Sequence, residues 1–212
     1  MINPFVTGKR NYLILVFTIV YLAAFTFNGV LNANFEFLYY TFLLSFLIYL
    51  VIYLHQRLHL GFFILFNLSL LGFLHLAGGN FYLGDLRLYD YYFVPYIFKY
   101  DNMIHSYGTF IGTLAMYSLL ISHFREPVKK RFPVLALLLI FMAIGMGTIV
   151  ELVEFLAVVI FGVAEQVGDY YNNTLDLLFN FLGSVLATVI IYFYQYRPKF
   201  ILKIDGSHKK SN

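Results

Sequence analysis

The sequence predicts an all-α integral membrane protein, a polytopic bundle of about six transmembrane helices with both termini cytoplasmic. Three observations predict it. Of the 212 residues, 61% are hydrophobic and the mean hydropathy is +0.77. Charged residues make up 12%, about half the ~25% usual in a soluble domain. Apolar runs near the ~20 residues that a bilayer-crossing helix needs recur along the whole chain, more than a soluble core could hide. The length suits one membrane domain, 1–212, and nothing in the composition suggests a nucleic-acid partner.

Hydropathy divides the chain into spans at about 11–31, 37–54, 60–77, 102–123, 133–161 and 175–196. The first follows Lys9 and Arg10. Its apolar stretch is longer than that of a signal peptide and no small-residue cleavage site follows, so it is expected to be retained. Gly78-Gly79 ends the third span. The outer loop 78–101 is rich in tyrosine and carries Asp85, Arg87, Asp90 and Pro95. Its aromatics suit an interfacial belt or a short re-entrant piece, and loops of this length are often functional, which makes it a candidate lid. Pro127 and Pro133 bracket a basic loop, and Pro133 suits a first helical turn. Pro198 closes the last span, leaving a tail at 197–212.

Orientation follows from the placement of the cations. With an even number of spans, one side holds Lys9, Arg10, Arg57, Arg125, Lys129, Lys130, Arg131, Arg197, Lys199, Lys203, Lys209 and Lys210, and the other holds Arg87 and Lys99. The positive-inside rule makes the first side cytoplasmic, and the expected location is a plasma membrane. The outer loops carry Glu36, Asp85, Asp90, Asp101, Glu165 and Asp169.

There is no cysteine, which removes disulfides, thiolate metal sites and cysteine nucleophiles together. Chemistry therefore rests on the ionisable residues inside the spans, which lipid penalises and which are a functional hypothesis by default. Glu151 and Glu154 lie in a long apolar run, and their i, i+3 spacing puts both on one helix face. At about 1.5 Å per residue, Glu151 stands roughly 27 Å along its helix, in the outer third of the bilayer. His75 reaches that level from span three. Asp101 and His105, four residues apart, open span four, and Asp169, Asn172, Asn173 and Asp176 lead into span six, with Asn180 one turn below. Each has a structural alternative. Asp101 could cap span four, and Asn173 with Asp176 could form a capping arrangement. His75 and His105 could be satisfied core histidines. Glu151 and Glu154 could pair with Arg87 or Lys99. Asn180, Asn28 and Asn67 suit helix–helix glue, while His55, His59 and His123 suit the cytoplasmic interface.

Two histidines among several carboxylates form a nitrogen–oxygen ligand set that suits zinc, manganese or iron. The expected ligands are His75, Asp101, His105, Asp169 and Asp176, with Glu151 and Glu154 as the catalytic pair. A divalent metal there would activate water or polarise a phosphoryl oxygen. Without a metal, the two glutamates could share a proton.

The stretches His75-Leu-Ala-Gly-Gly, Tyr100-Asp101-Asn-Met-Ile-His105-Ser-Tyr-Gly108, Glu151-Leu-Val-Glu154 and Gly168-Asp169-Tyr-Tyr-Asn-Asn-Thr-Leu-Asp176-Leu resemble the YjdF-like bacterial inner-membrane proteins, a family of unknown function. Order and spacing agree over about half the chain. The last motif departs, with Tyr171, Asn172 and Thr174 where the family pattern has Trp, Asp and Gln. A looser similarity runs to VanZ-like membrane proteins, which share an Asp-x-x-x-His, a later Glu, and an Asp and Asn near the end. The resemblance implies a polytopic membrane protein with these residues as its site and implies no reaction.

The leading expectation is a plasma-membrane protein with an outward-facing His/Asp/Glu pocket that holds a divalent metal and acts on a lipid or lipid-linked headgroup. One alternative is a non-catalytic membrane scaffold or envelope-stress protein. A proton-coupled transporter is the other, disfavoured because no repeat is visible and no polar track is evident through the cytoplasmic half.

Overall fold

A computed structural model describes residues 9–58, 60–121, 123, 131–164 and 168–196. The basic loop at 124–130, Glu165 and the tail at 197–212 lie outside the described residues, and with them most of the cations that set the expected orientation.

The described residues form six long helices: α1 (Lys9–Leu31), α2 (Phe35–Leu58), α3 (Phe62–Asn80), α4 (Tyr100–Leu120), α5 (Phe132–Phe161) and α6 (Tyr170–Tyr196). Five are long and apolar enough to cross a membrane. The exception is α4, whose 21 residues include Asp101, Asn102, His105, Ser106, Thr109 and Thr113. It packs against α3, α5 and α6, so protein surrounds the most polar helix.

Helix ends follow local chemistry. Pro133 stands in the first turn of α5, and Gly162, with φ 69°, ends that helix in the left-handed conformation that glycine adopts without penalty. Gly78 and Gly79 do not end α3, which runs on to Asn80. They sit inside its last turn because a side chain there would collide with the rings of Tyr89 and Phe37 respectively.

The bundle is apolar outside and polar within. On α6 the buried residues are Asn172, Asp176, Asn180, Gly183, Ser184, Ala187, Thr188 and Ile191, a three- and four-residue spacing that makes one stripe. The opposite face exposes Leu177, Leu178, Phe181, Leu182, Leu186, Val189 and Ile190. Lipid carries no hydrophobic drive for helix association, so small and polar residues that allow close approach occupy the interface. On α5 the stripe Leu135, Leu139, Ala143, Gly147 and Ala157 is buried. Residues 151 and 154 continue its register, so both glutamates turn inward.

The connection from α3 to α4 is two antiparallel ribbons, β1 (Tyr82–Leu83) with β2 (Leu86–Arg87) and β3 (Tyr92–Val94) with β4 (Phe98–Lys99), joined by a 3₁₀ turn at Leu88–Asp90. Phe81, Tyr82, Tyr92, Phe93, Tyr96 and Ile97 are exposed, while Tyr89 and Lys99 are buried. The aromatic core, with Phe25, Phe37, Tyr40, Leu76, Tyr89 and Tyr100, lies beneath it.

Candidate metal centre

Residues from the start of α4, the last third of α5 and the start of α6 converge at the end of the bundle capped by the ribbons. His105 is the hub. Its Nε2 faces Asp101 Oδ1 at 3.4 Å, Glu154 Oε1 at 3.6 Å and Asp176 Oδ1 at 4.0 Å. Its Nδ1 faces Glu151 Oε1 at 3.6 Å and the Asn180 amide nitrogen at 3.3 Å. The contacts to the carboxylates are too long for hydrogen bonds, which run about 2.7–3.2 Å. Two ligand atoms on one tetrahedral ion, each about 2.0–2.2 Å from it, stand roughly 3.3–3.6 Å apart. Asp101, His105 and Asp176 lie close enough to hold a metal ion together, as do His105, Glu151 and Glu154.

The acids are held from outside. Lys99 Nζ takes Asp101 Oδ2 at 2.9 Å. Asp176 is wholly buried and accepts hydrogen bonds from Asn102 Nδ2 at 2.7 Å and Asn172 Nδ2 at 2.9 Å. Both Glu151 oxygens are buried and receive no hydrogen bond. Four carboxylates thus share a low-dielectric space with one lysine and one imidazole. That excess negative charge is costly unless protons or a cation offset it. Burial opposes the charge on Lys99, but the nearby carboxylates, Asp101 foremost with Asp176 and Asp90, together outweigh it, and the lysine holds its proton above its ordinary range.

His75 and Asp169 are placed apart from these groups. His75 Nδ1 hydrogen-bonds the Tyr89 hydroxyl, and its ring packs against Phe37 and Tyr40. It lines a cavity with Glu36, Phe37, Tyr40, Arg87 and Tyr89 that opens onto Asp101 and Glu154. Asp169 instead starts α6, its Oδ1 accepting the Asn172 backbone N–H at 3.0 Å, a capping contact. Among the described residues, Lys99 pairs with Asp101 and not with Glu151 or Glu154. Arg87 meets Glu36 at 3.3 Å and Asp90 at 2.9 Å. The Asn102 side chain, not that of Asp101, accepts the Lys99 backbone N–H at the head of α4, at 2.9 Å.

The family model described as "Predicted membrane protein (DUF2238)" matches residues 13–197. The chain belongs to this family. DUF2238 is a family of unknown function, consistent with the YjdF-like resemblance. No curated protein and no solved structure matches this DUF2238 chain.

Sequence reasoning missed Lys99, Asn102 and Asn172 as supports of the acids. The signal was available for Asn102, which neighbours Asp101 at a helix start. It also missed the hydroxyls beyond the centre. Thr109, Thr113, Ser184 and Thr188 are buried along the α4–α6 seam, so polar groups do continue past Asn180. Each donates to a carbonyl of its own helix at 2.7–3.0 Å. These groups are satisfied locally and form a packing seam.

Proposed function

We propose that this DUF2238 protein binds a divalent metal ion, zinc, manganese or iron, between His105 Nε2 and the carboxylates of Asp101, Glu154 and Asp176. On this reading it uses the ion on a lipid or lipid-linked headgroup at the outer face of a plasma membrane. One observation carries the reading: a single imidazole nitrogen faces carboxylates from three helices at 3.4–4.0 Å, and His105 joins two triads of ligand atoms close enough to hold an ion, one with Asp101 and Asp176 and one with Glu151 and Glu154. The cavity past Arg87, Tyr40 and His75, about 20 Å³, reaches Asp101 and Glu154 and has room for a water molecule beside them. The bound ion would activate water or polarise a phosphoryl oxygen.

The test is headgroup release from phospholipid and polyprenyl-phosphate vesicles carrying the protein, followed by phosphorus NMR with and without a chelator. Release that stops with chelator and in Glu154→Gln supports the reading. Vesicles unchanged with every lipid and metal offered would reject the headgroup reaction.

A scaffold role is the second reading, and the anchoring of the acids favours it. Lys99 on Asp101, and two amides on Asp176, tie the ribbon, α4 and α6 together with no ion required.

A further inference from the structure

The segment joining α3 to α4 is charged inside and apolar outside, the reverse of a loop standing in water. Residues 81–86 and 91–97 are exposed, and Asp85 is the only charged residue among them. Tyr96 is 79% exposed, and Tyr82 and Ile97 are each 58% exposed. The cations turn inward instead. Lys99 is buried against Asp101, and Arg87 meets Glu36 and Asp90. A contiguous apolar surface of this kind marks a partner or a membrane.

Position decides what covers it. The segment starts at Phe81, directly after α3, and ends at Lys99, directly before α4. The Phe81 ring packs on Phe25 of α1, and Phe98 stacks on Phe179 of α6. The Tyr171 hydroxyl of α6 donates to the Tyr96 carbonyl at 2.9 Å. At this same end of the bundle α1 exposes Phe27, Val30 and Leu31, and α6 exposes Tyr170 and Tyr171. The ribbons therefore prolong the apolar outer surface of the helices. Both ribbons are two-stranded, so each has two edges whose outward N–H and C=O groups lack a neighbouring strand. Hydrocarbon does not tolerate such groups, whereas the headgroup layer brings water to them. Tyrosine, apolar in its ring and polar at its hydroxyl, is favoured at that layer.

We infer that the two ribbons form a lipid-binding surface: residues 81–86 and 91–97 lie against phospholipid in the headgroup layer of the bilayer that the helices cross, and do not stand in water as a lid. The inference needs no metal. Arg87 and Tyr89 belong to the same segment and line the cavity that reaches Asp101 and Glu154, so one stretch of chain joins the lipid contact to the centre.

The sequence has no tryptophan, so a single introduced one reports its own surroundings. Full-length Tyr82→Trp and Tyr96→Trp go into nanodiscs holding one chain each. The discs are made of phosphatidylcholine brominated either near the headgroup end or near the tail end of its acyl chain. Both variants should emit to the blue of tryptophan in water and lose more emission to the shallow bromines than to the deep ones. Leu186→Trp, exposed on α6 well inside the helix, should show the opposite order. Emission at the wavelength found in water, with no loss to either lipid, would overturn the inference. Greater loss to the deep bromines would do the same by sinking the ribbons into hydrocarbon. Blue-shifted emission that neither lipid quenches would put protein over the rings, and that too would overturn it. The unaltered chain supplies a second readout that no folding defect can spoil. Phospholipid carrying a photoactivated diazirine near its headgroup should leave adducts on 81–86 and 91–97, mapped by mass spectrometry. Adducts confined to the helices would contradict the proposed surface.

Discussion

Lys99 Nζ lies 2.9 Å from Asp101 Oδ2, and this contact leaves the other oxygen, Oδ1, to face His105 Nε2 at 3.4 Å. A residue at the end of the ribbon loop thereby sets which edge of a helix carboxylate enters the centre. Lys99→Met removes the cation and strands a buried acid. Breaking one side of a buried pair costs about 3–5 kcal/mol, so the variant should melt well below wild type. Lys99→Met with Asp101→Asn should recover part of that loss. A double variant no more stable than Lys99→Met would contradict the pairing.

The same pair gives a pH dependence. The folded pKa of Lys99 is raised above its ordinary 10.5: burial lowers it, and the nearby carboxylates, Asp101 foremost with Asp176 and Asp90, more than offset burial. A raised pKa in a base contributes stability in full below the ordinary value, and that contribution is lost as pH climbs through the folded value. Wild type should therefore lose melting temperature on the alkaline side, above about pH 10.5. The charge-free double variant should lose less over the same range. Parallel alkaline limbs in the two proteins would contradict the assignment.

Arg87 joins the loop to α2. Its guanidinium meets Glu36 and Asp90 and stacks over the rings of Phe37 and Tyr89 at 5.9 and 5.8 Å. Arg87→Gln should destabilise by about 3–5 kcal/mol, because the buried Glu36 loses its partner. Adding Glu36→Gln should restore much of the difference. A double-mutant cycle in thermal unfolding measures the coupling, and additive losses would exclude it.

Helix spacing offers a test independent of charge. A methyl added at Gly183 would strike the Ser106 carbonyl and the Thr109 hydroxyl on α4, and backbone cannot move aside as a side-chain end can. Gly183→Ala should cost about 1–3 kcal/mol through overpacking. Gly145→Ala, where a methyl meets nothing within 4 Å, should be neutral or mildly stabilising, since alanine favours helix over glycine by about 1 kcal/mol. Equal melting temperatures for the two variants would contradict the close approach of α4 and α6.

Much of this was legible in the sequence, for physical reasons. Lipid demands long apolar runs, so hydropathy found each helix, including α4, whose polar content needs a protein surround. The i, i+4 spacing of Asp101 and His105 and the i, i+3 spacing of Glu151 and Glu154 placed each pair on one face. Depth arguments put these residues and Asp176 at one level, and the fold brings them together. Depth did not separate His75 from them, because lateral position depends on packing, and the Tyr89 hydroxyl holds that ring among aromatics. Asp169 illustrates a second gap, since a carboxylate just before a helix suits ligation and capping equally and only the backbone geometry decides. The ribbons were not legible, as their short strands carry too little periodicity beside so many tyrosines.

The most direct measurement of the central claim is the divalent-metal content of the purified, detergent-solubilised chain by mass spectrometry, compared with His105→Ala and Glu154→Gln. The account predicts about one ion per chain in wild type, a set of carboxylates and one imidazole being enough for a closed site, and strong depletion in both variants while helical content by circular dichroism stays level. Negligible metal in all three, from protein exposed to zinc, manganese and iron, would contradict it.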